Sequence, residues 1–315
     1  MGSHAAPPSE ARSSPDSSEC SGDCSACATE DKCQTEQERE YRLQQRRLEE
    51  RAARMRHQIL VLSGKGGVGK STVAANLAWL LAAGGYEVGL LDADLHGPTI
   101  PLMLGVSHER ALGGPDGLTP VPALPALHVM SMGFLLPDST APIIWRGPLR
   151  ANALRQLIAD VNWPDLDFLI VDLPPGTGDE PLTIGQAFPR ADGAVIVTTP
   201  QEASLSDCRK AINFVRALGL RPLGVIENMS GFVCPHCGRE TDIFSQGGGQ
   251  RMAEEMDVPF LGRVPLVPEV VALADEGVPM VGARAPTAAR EAFSAVARAL
   301  RQQLTPDPAL DRLLE

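Results

Sequence analysis

A doubly wound, mainly parallel α/β fold built around a phosphate-binding loop is what this sequence predicts, and three observations predict it. Short apolar runs recur along residues 58–304 with helical stretches between them, which is how βαβ units read. Those runs are continuously apolar rather than alternating, as strands covered on both faces of a parallel sheet must be. The first run is followed at once by Gly64-x-x-x-x-Gly69-Lys70-Ser71, a glycine-rich turn of the kind that opens a helix and cradles phosphate.

Taken in order, residues 1–35 are rich in Ser, Pro, Ala and acidic residues and hold too little apolar surface to bury a core. They read as a tail carrying a cysteine cluster, disordered or folded by metal. Residues 36–57 are dense in helix formers, with Tyr41, Leu43, Leu48 and Met55 as the sizeable apolar residues; they suit a charged linker helix or one that pairs with a partner helix. The strands are then expected at Ile59–Leu62, Val88–Leu91, His128–Met132, Phe168–Val171, Ala194–Thr198, Leu223–Asn228 and Phe260–Val264. Helices are expected at Ser71–Ala83, Arg150–Asp160, Ser204–Leu218, Gln250–Met256 and Ala288–Gln303. The final helix has apolar residues at helical spacing and arginines opposite them. That pattern fits either docking on its own sheet or attachment to a membrane surface, and the absence of a dense basic face favours docking. Residues 305–315 are a C-terminal tail.

The chain has 315 residues, of which 43% are hydrophobic, and 28 basic residues against 39 acidic ones give a net charge of −11. Wholesale disorder is thereby excluded. No apolar run is long enough for a membrane span, and the N-terminal residues lack the apolar stretch of a signal peptide. The acidic total argues against a nucleic-acid footprint. The expectation is a cytoplasmic protein that takes neither nucleic acid nor membrane as a partner. Seven cysteines fall into two tight clusters and one outlier, Cys208, and in a reducing compartment such spacing suggests metal rather than disulfides. Cys208 itself reads as a small buried apolar residue.

The loop Gly64, Lys65, Gly66, Gly67, Val68, Gly69, Lys70, Ser71, Thr72 aims successive backbone N–H groups at one point, which glycine permits by admitting unusual turns. Lys70 is expected to neutralise the β and γ phosphates of ATP, and the Ser71 hydroxyl to hold Mg²⁺. Lys65, a second lysine just after the first glycine, can reach a phosphate on a facing subunit. Asp94 follows the second predicted strand and Asp172 ends the fourth, where carboxylates surround the ligand crevice of such a sheet. Asp172 is expected to hold Mg²⁺ through water, Asp94 to orient or deprotonate the attacking water, and the Gly176 amide to sense the γ-phosphate.

The segments GKGGVGKST, DADLHGPTIP, DLPPGTGD, Thr198-Thr199-Pro200-Gln201 and Glu227-Asn228-Met229-Ser230, followed by Cys234-Pro235-His236-Cys237, together resemble the Mrp/ApbC group of deviant-Walker-A P-loop ATPases. These are carriers and scaffolds of iron–sulfur clusters, related to MinD and ParA. The resemblance covers about residues 58–300. It implies a homodimer with ATP sandwiched between subunits, Lys65 reaching across the interface, Asn228 contacting adenine, and slow ATP hydrolysis coupled to cluster transfer to apoproteins. One departure is Pro265-Leu266-Val267-Pro268, where the family commonly has an aspartate third.

Cys234 and Cys237 supply two thiolates, whereas a [4Fe–4S] cluster or a tetrahedral zinc needs four ligands. A symmetric dimer supplies the other two, and the resemblance implies that this pair holds a labile bridging cluster. By itself, C-P-x-C-G also suits half of a zinc ribbon. Cys20, Cys24, Cys27 and Cys33 offer four thiolates within one chain, enough for a second [4Fe–4S] centre or a zinc site. Their C-x2-C-x5-C portion resembles the N-terminal cluster of the eukaryotic cytosolic scaffold branch. Two other functions share the loop: electron transfer as in the nitrogenase iron protein, and spatial organisation on membrane or DNA as in MinD and ParA.

Overall fold

The computed structural model describes residue 42 and residues 46–304, except 96, 116, 137–146, 235, 238 and 283–286. Cys20, Cys24, Cys27 and Cys33, with the predicted tail site they form, lie outside the described residues, as do residues 305–315.

A helix over 46–52 (α1) leads into β1 (Met55–Leu62). The strand therefore begins inside the stretch expected to be linker helix, four residues before Ile59. Tertiary pairing overrides local helix propensity there: Met55 and His57 pair with Leu166 and Phe168 of a neighbouring strand. Asp192 meets two of the polar groups this buries: His57 Nδ1 lies 3.0 Å from its Oδ1 and the Gln58 backbone amide donates to its Oδ2 at 2.8 Å, while Oε1 of Gln58 is buried without a donor.

The chain continues through α2 (Lys70–Ala83), β2 (Val88–Asp92), α3 (Ile100–Met103), β3 (Leu112–Gly114), β4 (Gly117–Thr119), β5 (Val121–Leu124) and β6 (Leu127–Ser131). Then come α4 (Gly147–Asp160), β7 (Leu166–Asp172), α5 (Asp179–Ala187), β8 (Gly193–Thr198), α6 (Glu202–Ala217) and β9 (Pro222–Val233). Last are β10 (Glu240–Thr241), α7 (Gly248–Glu255), β11 (Phe260–Leu266), α8 (Pro268–Asp275) and α9 (Thr287–Gln302). The main sheet runs β11-β9-β8-β1-β7-β2-β6-β5. All its strands are parallel except β5, which runs against β6, and β10 adds a short antiparallel partner to the far end of β9. The β3–β4 hairpin stands apart from this sheet.

Strands β2 and β8 are buried along their whole length, the outcome expected of a parallel sheet layered by helices on both faces. On one face, Phe168 stacks on His57 and meets the edge of Tyr86, with centroids 5.3 and 5.2 Å apart. Helix α9 docks on β11 and α2, burying Ala289, Phe293, Val296 and Leu300 at helical spacing. Its apolar stripe is thus spent on the chain's own sheet. Among the described residues no helix is long and apolar enough to cross a membrane. Cys208 of α6 is fully buried, in keeping with its reading as a small core residue.

Candidate nucleotide site and cysteine hairpin

Every parallel strand points its C-terminal end at the same edge of the sheet, and that edge collects the polar residues. Leu62 ends β1, and the chain turns through residues 63–69 into α2. Gly69 has φ 80°, a left-handed conformation that is steeply disfavoured for residues with a Cβ. Lys70 opens the helix with its side chain turned inward, 6% exposed, and donates to Asp172 Oδ1 at 2.6 Å, with Ser71 Oγ at 3.4 Å.

Strands β7 and β2 are adjacent and in register, so Asp172 sits directly beside Asp92. Both carboxyls are buried. Asp92 accepts from the Ser131 hydroxyl at 3.0 Å and from the Asp94 amide at 3.3 Å. Burial, and then the charge of Asp172, push Asp92 up to about 8. Asp172 is also raised by burial, held back chiefly by Lys70. One ammonium thus faces two buried carboxyl groups, and Oδ2 of Asp172 is buried without a hydrogen-bond donor. Buried carboxylates require such compensation. These residues fit a divalent cation and phosphate oxygens, which complete the charge and the contacts.

The other sequence-predicted residues gather nearby with differing engagements. The Lys65 carbonyl accepts from the Ser63 hydroxyl at 2.9 Å, and Lys65 is half-buried beside the exposed Gly66 and Gly67. The Gly176 amide, expected to face the γ-phosphate, instead donates to the Ser63 carbonyl at 2.9 Å. Asp94 is half-buried and accepts from the Gly97 amide at 3.3 Å. Asn228, one residue past the β8-paired part of β9, donates through Nδ2 to the Val68 carbonyl at 2.9 Å, and so touches the loop itself.

Beyond Asn228, β9 runs on to Val233 and delivers Cys234, whose amide donates to the Arg239 carbonyl at 3.0 Å to close a hairpin with β10. Cys237 is exposed and Cys234 partly so. The amides of Cys237 and then His236 hold the Cys234 thiol below its ordinary value, because donors stabilise a thiolate. Among the described residues no group of three or more His, Cys, Asp or Glu side chains could hold a metal. The hairpin offers two thiols per chain.

Sequence reasoning passed over Asp92, Ser131 and Glu227. The signal for Glu227 was present: a carboxylate inside an otherwise apolar strand is rarely tolerated without a purpose. A cavity of about 630 Å³ lies elsewhere, lined by Arg47, Arg51 and Arg54 around the start of β1. Arg47 pairs with Asp160 at 3.1 Å and Arg54 with Asp165 at 2.8 Å, and the cavity is unconnected with the loop residues.

Known proteins are similar to this chain in sequence and fold. A family profile described as NUBPL iron-transfer P-loop NTPase, of the ParA group, matches residues 54–301. The iron-sulfur cluster carrier protein of Methanocaldococcus jannaschii is 48% identical over 263 residues, covering 84% of this chain and 90% of that relative. The cytosolic Fe-S cluster assembly factor CFD1 of Saccharomyces cerevisiae is 43% identical over 270 residues, covering 82% and 92%. Among solved structures, a nucleotide-binding protein from Archaeoglobus fulgidus in complex with ADP has a TM-score of 0.66 at 39% identity, covering 74% of this chain and 91% of that one. The MinD cell division protein of Aquifex aeolicus, at 23% identity and TM-score 0.54 over 79% of this chain and 98% of its own, shares the fold.

Proposed function

Because this chain belongs to the ParA family of P-loop NTPases, in its NUBPL-type iron-transfer branch, we propose that it is a homodimeric, ATP-hydrolysing carrier. In this reading it holds a labile [4Fe–4S] cluster between subunits and hands it to apoproteins in the cytoplasm. The observation that carries the proposal is the pairing on one strand of Asn228, bonded to the phosphate loop, with an exposed two-thiol hairpin six residues further on. Two thiols are half of a four-ligand set, and a second copy supplies the rest. The carrier and assembly-factor names of the relatives, one of them cytosolic, point the same way.

Each residue then has a task. The amides of residues 64–72 and the Lys70 ammonium hold the β and γ phosphates. Ser71, and Asp172 through water, hold Mg²⁺, which when bound neutralises charge developing on the transferred phosphoryl group. Asp94 orients the attacking water, Lys65 reaches the partner's nucleotide, and Asn228 contacts adenine; the Gly176 amide reports the γ-phosphate only by giving up its bond to the Ser63 carbonyl. Cys234 and Cys237 take the cargo, while Cys20, Cys24, Cys27 and Cys33 form a second cluster site. ATP alters cargo exposure only to the extent that it binds one subunit arrangement more tightly than the other.

Anaerobic reconstitution with iron and sulfide, followed by iron counting and Mössbauer spectroscopy, tests this. Wild type should hold about 12 iron per dimer and a Cys234→Ala/Cys237→Ala variant about 8, at four iron per centre. Protein that fills with zinc and refuses iron would overturn the carrier reading. A cluster that cycles redox state but never leaves on mixing with an apo acceptor would replace it with electron transfer.

A further inference from the structure

None of these tasks uses Glu227, although it has no exposed surface and lies in the middle of β9. Its oxygens accept three hydrogen bonds: Oε1 from the Ser230 hydroxyl at 2.5 Å and the Gly247 amide at 2.9 Å, and Oε2 from the Gly249 amide at 2.5 Å. Burying a carboxyl group is unfavourable unless donors of this kind meet it. Their origins matter. Ser230 belongs to the outgoing leg that leads to Cys234. Gly247 and Gly249 stand at the start of α7, where the chain returns from the cysteine hairpin through β10. Glu227 therefore fastens both legs of the hairpin to one point.

Its chain neighbour fastens the same point to the phosphate loop, through Asn228 Nδ2 on the Val68 carbonyl. Beyond Asn228 the strand is irregular. Met229 and Gly231 have φ 54° and 77°, and pairing with β11 slips between Val264–Asn228 and Leu266–Phe232. A bulge of this kind can absorb a displacement rather than pass it on. The three bonds to Glu227 span that bulge, from Ser230 within it to the helix that follows the hairpin.

We infer that Glu227 is a positioning residue that transmits the state of the phosphate loop to the cysteine hairpin. A change at Val68 moves Asn228, and the clamp turns this into movement of both hairpin legs together. The inference rests on the nucleotide-coupled carrier reading and deepens it. Coupling of two sites needs an element that both of them bias, and the segment 227–230 with the start of α7 is that element.

The test uses the full-length apo protein, with and without Mg-ATP, given a short maleimide pulse. Peptide mass spectrometry then reads Cys234 and Cys237 separately. Buried Cys208, whose thiol burial pushes up to about 12, reports unfolding. Glu227→Gln keeps the volume but presents an amide N–H₂ to a backbone donor, and Ser230→Ala removes a single bond. Labelling of the hairpin in wild type should change about fivefold or more with ATP, the lower end of usual couplings. In Glu227→Gln the response should shrink to less than about twofold while ATP affinity stays within about threefold and Cys208 stays unlabelled, with Ser230→Ala intermediate. An undiminished response in Glu227→Gln overturns the inference. So does a response lost together with ATP binding or with Cys208 protection, which makes Glu227 a structural prop. An unresponsive wild type refutes the nucleotide coupling of the carrier reading itself, and this inference falls with it.

Discussion

Replacing Asp92 by asparagine should stabilise the nucleotide-free protein, and should do so more strongly as pH rises. Asp92 is buried beside Asp172, and its carboxyl rises from 3.8 to about 8 on folding. Between those values the folded chain keeps a proton that the unfolded chain has released. Raising pH through that window therefore favours unfolding, by about 1.4 kcal/mol per pH unit. Below pH 3.8 both states are protonated and the penalty vanishes. From the width of the window the penalty is roughly 1–2 kcal/mol at pH 5 and roughly 4 kcal/mol at pH 7. Asparagine resembles the protonated acid in shape. It keeps one acceptor for the Asp94 amide, and the Ser131 hydroxyl can turn to accept from the new N–H₂, at a cost of about 1 kcal/mol for the altered bond. The net gain is then close to zero at pH 5 and about 3 kcal/mol at pH 7. Urea unfolding of both proteins at pH 5, 6, 7 and 8, followed by circular dichroism, measures it. A stability difference that stays flat across this range would refute the reasoning, because it would mean that Asp92 is ionised in the folded protein throughout.

Two further outcomes follow from the same edge of the sheet. Lys70→Ala removes the ammonium that pairs with Asp172 and that the proposed function sets against the phosphates, so titration with a fluorescent ATP analogue should show affinity reduced roughly 10- to 100-fold; unchanged affinity would remove Lys70 from the site. Gly64→Ala would place a methyl group against the backbone carbonyl of Asp207 in α6 and 2.8 Å from that residue's Cβ, so thermal and urea unfolding should show a loss of roughly 1–3 kcal/mol from overpacking; an unchanged midpoint would show that α6 yields freely.

The central strands and the phosphate loop were legible because their causes are local. A parallel strand covered on both faces must be an apolar run, and Ala194–Thr198 and Phe168–Val171 are such runs. The loop depends on glycines at fixed spacing. What escaped depends on partners far along the chain. The start of β1 at Met55 is decided by Leu166, Phe168 and Asp192, more than 100 residues away. Helix α5 begins Asp179-Glu180-Pro181 and is only nine residues long, too short for a clear helical period. Strand β5 carries Pro122, which demotes a strand in any local reading yet is tolerated at an antiparallel edge. Asp94 stood out as a strand-end carboxylate, whereas the weight of Asp92 depends on its register with Asp172, 80 positions on. Glu227 similarly needs the amides of Gly247 and Gly249, which only the return from the hairpin brings within reach.

The place of β1 in the sheet also sets a timetable for synthesis. Its two neighbours are β7 and β8, so the first strand among the described residues is enclosed only after more than 100 further residues have been made. At translation speeds of roughly 5–20 residues per second, the ribosome needs on the order of ten seconds to travel from Leu62 to Thr198. Until β7 is made at Asp172 both edges of this apolar strand are unpaired, and the edge that takes β8 stays open for wrong partners until Thr198. A chain arranged in this way has high contact order and folds slowly. The nascent protein should therefore lean on chaperones that shield strands, and its yield should improve when elongation is slowed only after both neighbours of β1 have left the ribosome.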